Sequence, residues 1–302
     1  MRFASVDAYT GSVWQTMPPA ARRSEGPLEL TEIRLQTADG LGLFAHEWRP
    51  EGVVKGVVCV FHGLGEHGGQ YVEVAERFAA AGVALIAIDQ RGHGRSDGKR
   101  GHTPSYDALL DDVDAMLDGA SERHPGVPRF LYGHSLGGNV VLNHVLRRRA
   151  DIAGVVATGP WLRLTDDLVW YKRIPATILE PFLPTLSFST TTDRDEILEE
   201  VGVRHNTELF HKLITIRLLI RTRRAGIWAA KHGDLLTVPA LVIHGERDPV
   251  ADPQASLDFA RGAGTRCTAL FLPEVGHNPH EEDPRTIPRI VGWVRERVER
   301  LS

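Results

Sequence analysis

Apolar and polar residues alternate over residues 28–38, Asp39-Gly40 supplies a turn, and a second alternating run covers 41–48. A period of two on either side of a two-residue turn predicts a β-hairpin at the edge of a sheet. Residues 57–61 and 83–88 are instead short continuous apolar runs, the pattern of strands covered on both faces. Between them, 72–81 has helical spacing and stops at Gly82. A helix over 106–120 sets Leu109, Leu110, Val113 and Leu117 on one side and acids on the other. A strand at 129–132, a helix at 136–149 and a strand at 152–157 continue the alternation. Residues 160–238 break it, although 213–230 within them predicts a helix. It then resumes with a strand at 240–243 and a helix whose N-cap is Asp252, with Pro253 at its first position. A strand at 268–272 and a last helix from about 284 to 300 complete the pattern.

Strands that alternate with helices predict an α/β fold, a mostly parallel sheet flanked by helices on both faces. The stretch that breaks the rhythm holds too many large apolar residues for a linker and predicts an inserted, mostly helical subdomain. The expected organisation is therefore an N-terminal arm over 1–27, a core formed by 28–159 and 239–302, and a cap over 160–238. The arm is rich in small and polar residues and broken by Pro18-Pro19.

Composition narrows the function. A chain of 302 residues buries enough core to need neither disulfides nor metals for stability. The 42% hydrophobic and 25% charged content is that of a soluble globular protein. A net charge of −4 offers no basic field for nucleic acid. Cys59 sits in an apolar run and reads as core, Cys267 opens another, and nothing demands a bridge between them. Residues 1–27 lack the apolar segment of a signal peptide, and no apolar run approaches the roughly 18 residues of a membrane span. A cytoplasmic location is expected, with peripheral membrane contact and oligomeric state left open.

The candidate chemistry centres on Gly133-His134-Ser135-Leu136-Gly137-Gly138, which matches G-x-S-x-G. Alone the pattern is weak. Here an apolar strand ends at Tyr132 and an apolar-periodic helix begins at Leu136, so Ser135 falls on a sharp strand-to-helix turn, the setting of a nucleophile elbow. A serine hydroxyl needs a base, and in this arrangement an acid and then a histidine follow later strands. Asp248 follows the strand at 240–243, at the carboxyl end where open α/β sheets build their sites. Asp252 is the nearest rival and is already explained as an N-cap; Glu246 is a third choice. Among fourteen histidines, His277 follows the last expected strand directly, and His280 on the same loop is the runner-up. Neutral His277 would take the Ser135 proton and Asp248 would fix its tautomer. The oxyanion would be held by the backbone amide of Leu136 and by that of Leu64, set between Gly63 and Gly65 after the strand at 57–61. The neighbouring glycines Gly68-Gly69 suggest a phosphate loop, but the Walker lysine is missing. His62 and His67 lack the partners of a zinc site. No metal and no cofactor are expected.

These motifs together resemble the monoacylglycerol lipases and bacterial lysophospholipases. The run His62-Gly63-Leu64-Gly65-Glu66-His67-Gly68-Gly69-Gln70-Tyr71 resembles that family's oxyanion loop, and Asp89 to Gly98 its D-x-x-G-H-G-x-S-x-G loop. The elbow matches, and His277, His280 and Glu282 are similar to its histidine loop. The resemblance covers about residues 28–298 and implies the α/β-hydrolase fold with a helical cap. It also implies hydrolysis of an ester with a single lipid-like acyl chain, with Glu66 and His280 lining a small polar pocket for the alcohol. Gln70 departs from the family, which often has Arg there, and puts glycerol recognition in question.

Two features of the cap bear on substrate. Residues 174–188 hold eight apolar residues and one charge, Glu180, a composition suited to an acyl-chain wall or to packing on the core. Arg217, Arg221 and Arg224 share a helical face, which reads as a solvated stripe or as a lipid contact. Two other functions compete: a short-chain esterase or cofactor-free perhydrolase using the same triad, and a ligand receptor, which would have no need of Asp248.

Overall fold

The computed structural model of the protein describes residues 28–148, 151–165, 177–189 and 209–301; the expected N-terminal arm lies outside the described residues. In chain order the strands are β1 (Glu29–Gln36), β2 (Gly42–Arg49), β3 (Gly56–Phe61), β4 (Val83–Ile88), β5 (Arg129–His134), β6 (Gly154–Thr158), β7 (Ser187–Ser189), β8 (Leu213–Thr215), β9 (Ala240–Gly245) and β10 (Cys267–Leu272). The helices are α1 (Val72–Ala79), α2 (Tyr106–Arg123), α3 (Leu136–Arg147), α4 (Ile216–Lys231), α5 (Pro253–Ala263), the single turn α6 (Pro279–Glu282) and α7 (Thr286–Leu301).

The main sheet runs β1-β2-β4-β3-β5-β6-β9-β10. The hairpin forms as expected, with Leu35 opposite Leu43, and β2 joins β4 antiparallel; β4, β3, β5, β6, β9 and β10 run parallel to one another. β3 and β4 are buried at every position, which is why their sequences are continuous rather than alternating. Within β3, Val57, Cys59 and Phe61 pack in the core shared with α2, α3, α4 and α5. Val58 and Val60 face the opposite core, built on α1 and α7. Each such side chain contributes roughly 1.5–3 kcal/mol relative to exposure. Both cysteines are free thiols.

β3 lies between β4 and β5. The chain therefore steps to one side of β3 and then crosses to the other, opening a crevice at the carboxyl ends of β3 and β5.

Between β6 and β9 the helix expected over 213–230 begins later. Leu213–Thr215 pairs antiparallel with β7, and the helix starts at Ile216 with the Thr215 hydroxyl accepting the Leu218 N–H at 3.3 Å. The reason is local: Ile214 and Thr215 are β-branched and suit a strand, and threonine is a good N-cap. The last helix starts at Thr286 rather than near 284, and α1 ends at Ala79 rather than 81, differences usual for helix ends.

Candidate active site

Ser135 sits between β5 and α3 with φ 51°, the one non-glycine residue with positive φ among the described residues. Such a conformation is strained and persists only where the surroundings over-determine it. Here three bonds do so: the Ser135 N–H donates to Thr158 O at 3.0 Å, and its carbonyl accepts the N–H groups of Asn139 and Trp161, both at 3.0 Å. Gly137 is needed because a Cβ there would collide with the Phe61 carbonyl of the neighbouring strand.

His277 Nε2 lies 2.9 Å from Ser135 Oγ, and His277 Nδ1 lies 2.7 Å from Asp248 Oδ2. The three residues follow β5, β9 and β10, so the parallel order of the sheet brings them together. Glu282 brackets the histidine, accepting the N–H of Gly276 at 2.5 Å and of Asn278 at 2.9 Å. Asp248 is buried, and its carboxylate also accepts the N–H groups of Val250 (2.7 Å) and Ala251 (2.9 Å) and faces His244 Nε2 at 3.0 Å. Burial opposes its charge, but the hydrogen bonds from His244 and His277 hold the carboxyl well below the usual carboxylate range. The rival Asp252 caps α5, accepting the Gln254 N–H at 2.8 Å, and pairs with Arg163.

Leu136 opens α3, so its amide has no acceptor within the helix. The loop carrying Leu64 is pinned from three sides. Glu66 Oε2 accepts the Gly63 N–H at 2.8 Å, His62 Nδ1 donates to Gly63 O at 2.7 Å, and Gly65 O accepts the His211 N–H at 3.2 Å. Gln90 N donates to His62 Nε2 at 3.0 Å, which fixes the neutral tautomer; burial pushes that imidazole further from its charged form. The loop after β4 is held in turn by buried Arg91, whose guanidinium grips Asp112 of α2 at 2.6 and 2.7 Å. Its Asp89 accepts the Gly68 N–H at 2.6 Å.

Glu66 and His280, expected at the alcohol pocket, are brought together through His134, a residue that the sequence reading passed over. Glu66 Oε1 is 3.9 Å from His134 Nε2, and the His134 ring meets His280 edge-on at 4.6 Å and His277 at 5.2 Å. The only sequence signal for His134 was its place beside the serine. His280 stacks on Tyr71 at 6.0 Å. Gln70 turns its side-chain oxygen back to the His67 N–H at 3.0 Å and so caps the short turn Gly68–Tyr71.

Glu180 is buried, and Arg217 and Arg221 both hold it, with bonds of 2.9–3.3 Å. Two of the three stripe arginines thus tie α4 to residues 177–189 rather than forming a free basic face. The apolar residues around Glu180 point outward: Phe182 is 78% and Ile178 61% exposed, with Leu179, Leu183, Leu186 and Phe188 also exposed. Among the described residues no helix is long and apolar enough to cross a membrane.

The chain is similar to known proteins in sequence and in fold. The model of the family Hydrolase_4, described as serine aminopeptidase, S33, covers residues 52–284. The chain is 30% identical to human monoglyceride lipase over 87% of its own length and 90% of that protein's. It is 32% identical to an uncharacterized abhydrolase domain-containing protein of Dictyostelium discoideum over 88% of its length, but spans only 29% of that much longer relative. The crystal structure of Paleococcus ferrophilus monoacylglycerol lipase superposes with a TM-score of 0.73 at 26% identity, covering 89% of this chain and 99% of that one. The chain belongs to the monoacylglycerol lipase and lysophospholipase family of α/β-hydrolases and is a serine hydrolase of the lipase/esterase type.

Proposed function

We propose that the protein cleaves carboxylic esters carrying a single lipid-like acyl chain, with Ser135 as nucleophile, His277 as general base and Asp248 as its orienting acid. The observation that carries the reading is the hydrogen-bonded chain from Ser135 Oγ through His277 to Asp248, set on a strained elbow. His277 Nε2 takes the hydroxyl proton as Oγ attacks the ester carbonyl. The amides of Leu136 and Leu64 hold the oxygen that gains charge. His277 then returns the proton to the leaving alcohol, and water repeats the sequence on the acyl-enzyme. Deprotonated Asp248 stabilises the imidazolium without taking its proton.

Residues 160–238 serve as the cap in this reading. The exposed apolar residues of 177–189 offer a path for the acyl chain and a peripheral contact with lipid. Glu66 and His280 bound the alcohol side. Gln70 is engaged in its own turn, so discrimination for glycerol over other small alcohols is modest. The test is a panel of acyl esters varied in chain length and alcohol, run beside fluorophosphonate labelling of the protein. Labelling at Ser135 with highest turnover on medium-chain monoesters supports the reading; fastest turnover on acetyl esters refutes the acyl-chain assignment.

A further inference from the structure

Asp248 receives a second imidazole besides that of His277. His244 is the penultimate residue of β9, four residues before the acid, and its side chain is wholly buried. Its Nε2 stands 3.0 Å from Asp248 Oδ2 and 3.1 Å from Ala251 O. Both neighbours are acceptors, so Nε2 carries the hydrogen. Its Nδ1 lies 2.7 Å from the hydroxyl of buried Ser256 on α5 and accepts from it when the ring is neutral. The orientation of this ring is therefore set by partners at both ends.

Oδ2 is also the oxygen that accepts from His277 Nδ1 at 2.7 Å, while Oδ1 accepts the two amides of Val250 and Ala251. The carboxylate thus has about four acceptor sites filled by four donors. We propose that His244 is a positioning residue that sets how strongly Asp248 stabilises protonated His277. This rests on the triad assignment given above. Two donors on one oxygen share its charge, so density drawn toward His244 is withheld from His277. The backbone amides of Val250 and Ala251 on Oδ1 hold the carboxylate in place, so loss of His244 alters the charge on Oδ2 rather than its position.

The sign of the effect separates this role from packing. Without the Nε2–H of His244, the charge on Oδ2 is less dispersed, His277 holds its proton more firmly, and the acid limb of the kcat/KM profile moves to higher pH. A residue that only filled space would, on removal, let Asp248 drift from His277; the imidazolium would lose support and the limb would stay or move to lower pH.

The experiment measures kcat/KM against pH on a soluble p-nitrophenyl butyrate for the wild type and for His244→Leu, His244→Asn and His244→Gln, with Ser135→Ala as control. Gln reaches the position of the ring Nε2 with an N–H. Asn reaches only the Ser256 side. Leu and Asn are expected to lower kcat by up to about 10²-fold and to shift the acid limb upward, while Gln keeps the wild-type limb. If Leu fails to fold, Asn alone carries the comparison with Gln. A limb in His244→Asn that coincides with the wild type or moves to lower pH overturns the proposal, as does a His244→Gln limb shifted like that of His244→Asn. Substantial activity in Ser135→Ala would instead overturn the triad assignment, a result distinguishable because it does not depend on His244.

Discussion

The His211 N–H donates to the carbonyl of Gly65 at 3.2 Å, and the His211 ring closes the same corner from the other side. Its Nε2 donates to Gly92 O at 3.1 Å, and its Nδ1 accepts the Leu213 N–H at 3.2 Å. The ring leans on His93 at 4.5 Å, which in turn meets His62 at 5.2 Å. The segment leading into β8 is thereby joined to the loop that carries Leu64 and to the loop after β4. Any displacement of residues 209–215 is felt at the proposed oxyanion amide.

Gly65→Ala tests that coupling. The residue has φ +80°, and a Cβ there would strike the His211 carbonyl. The variant is expected to lower kcat by roughly 10–10³-fold, as loss of one oxyanion donor does, while KM changes less. Steady-state kinetics beside a thermal melt would check it; wild-type kcat in a folded variant would separate the corner from catalysis.

The same histidines predict an acid limit to stability. Burial pushes His211 from its ordinary 6.5 down to about 4 and lowers His62 and His93 as well. Groups depressed in the folded state bind more protons unfolded, so their contribution is complete above about pH 6.5 and is lost as pH falls toward 4. Tm should therefore decline across that window. His211→Asn should lessen the slope, and an unchanged slope would assign the acid limit elsewhere.

Ser135→Ala should lose on the order of 10⁴ or more in rate and all fluorophosphonate labelling. Asp248→Asn and His277→Ala should each cost roughly 10³-fold or more, with little further loss when combined with Ser135→Ala. Full additivity in the double variants would mean the residues do not act as a unit. Asp252→Asn, which disturbs only a helix cap and one ion pair, should be far milder.

Monoacylglycerols should be cleaved much faster than triacylglycerols in mixed micelles. Each added methylene on a single chain in an apolar groove is worth up to about 0.8 kcal/mol. Two further chains would have to lie against Glu66, His134 and His280, leaving buried polar groups unpaired at about 1–3 kcal/mol each. Comparable rates on the two substrates would remove the case for a narrow alcohol side.

The meeting of Ser135, Asp248 and His277 was legible because strand order alone places their loops at one end of the sheet. The interiors of β3 and β4 were legible for a related reason: a strand covered on both faces leaves no polar position. What stayed hidden depends on contacts between distant segments. Glu180 looks like an isolated charge in an apolar run, and its two arginines lie 37 and 41 residues away on a helix whose facing partner no periodicity reveals. His134 meets Glu66 and His280 only after the end of β5, the loop after β3 and the turn of α6 converge. The extra imidazole on Asp248 was invisible because a histidine closing an apolar strand reads locally as one more buried residue. β8 was missed because three residues of strand run straight into a helix that continues the same apolar spacing.

The wide separation of the three residues along the chain has a temporal meaning. A ribosome adds Ser135 to the chain 142 residues before the base assigned to it in the proposed triad, and that base follows β10 at the sheet margin. Under the proposed triad, a nascent chain that has passed residue 135 but not yet reached residue 277 holds the serine without its base. In that proposal hydrolytic competence waits for the segment after β10, whatever the state of the elbow.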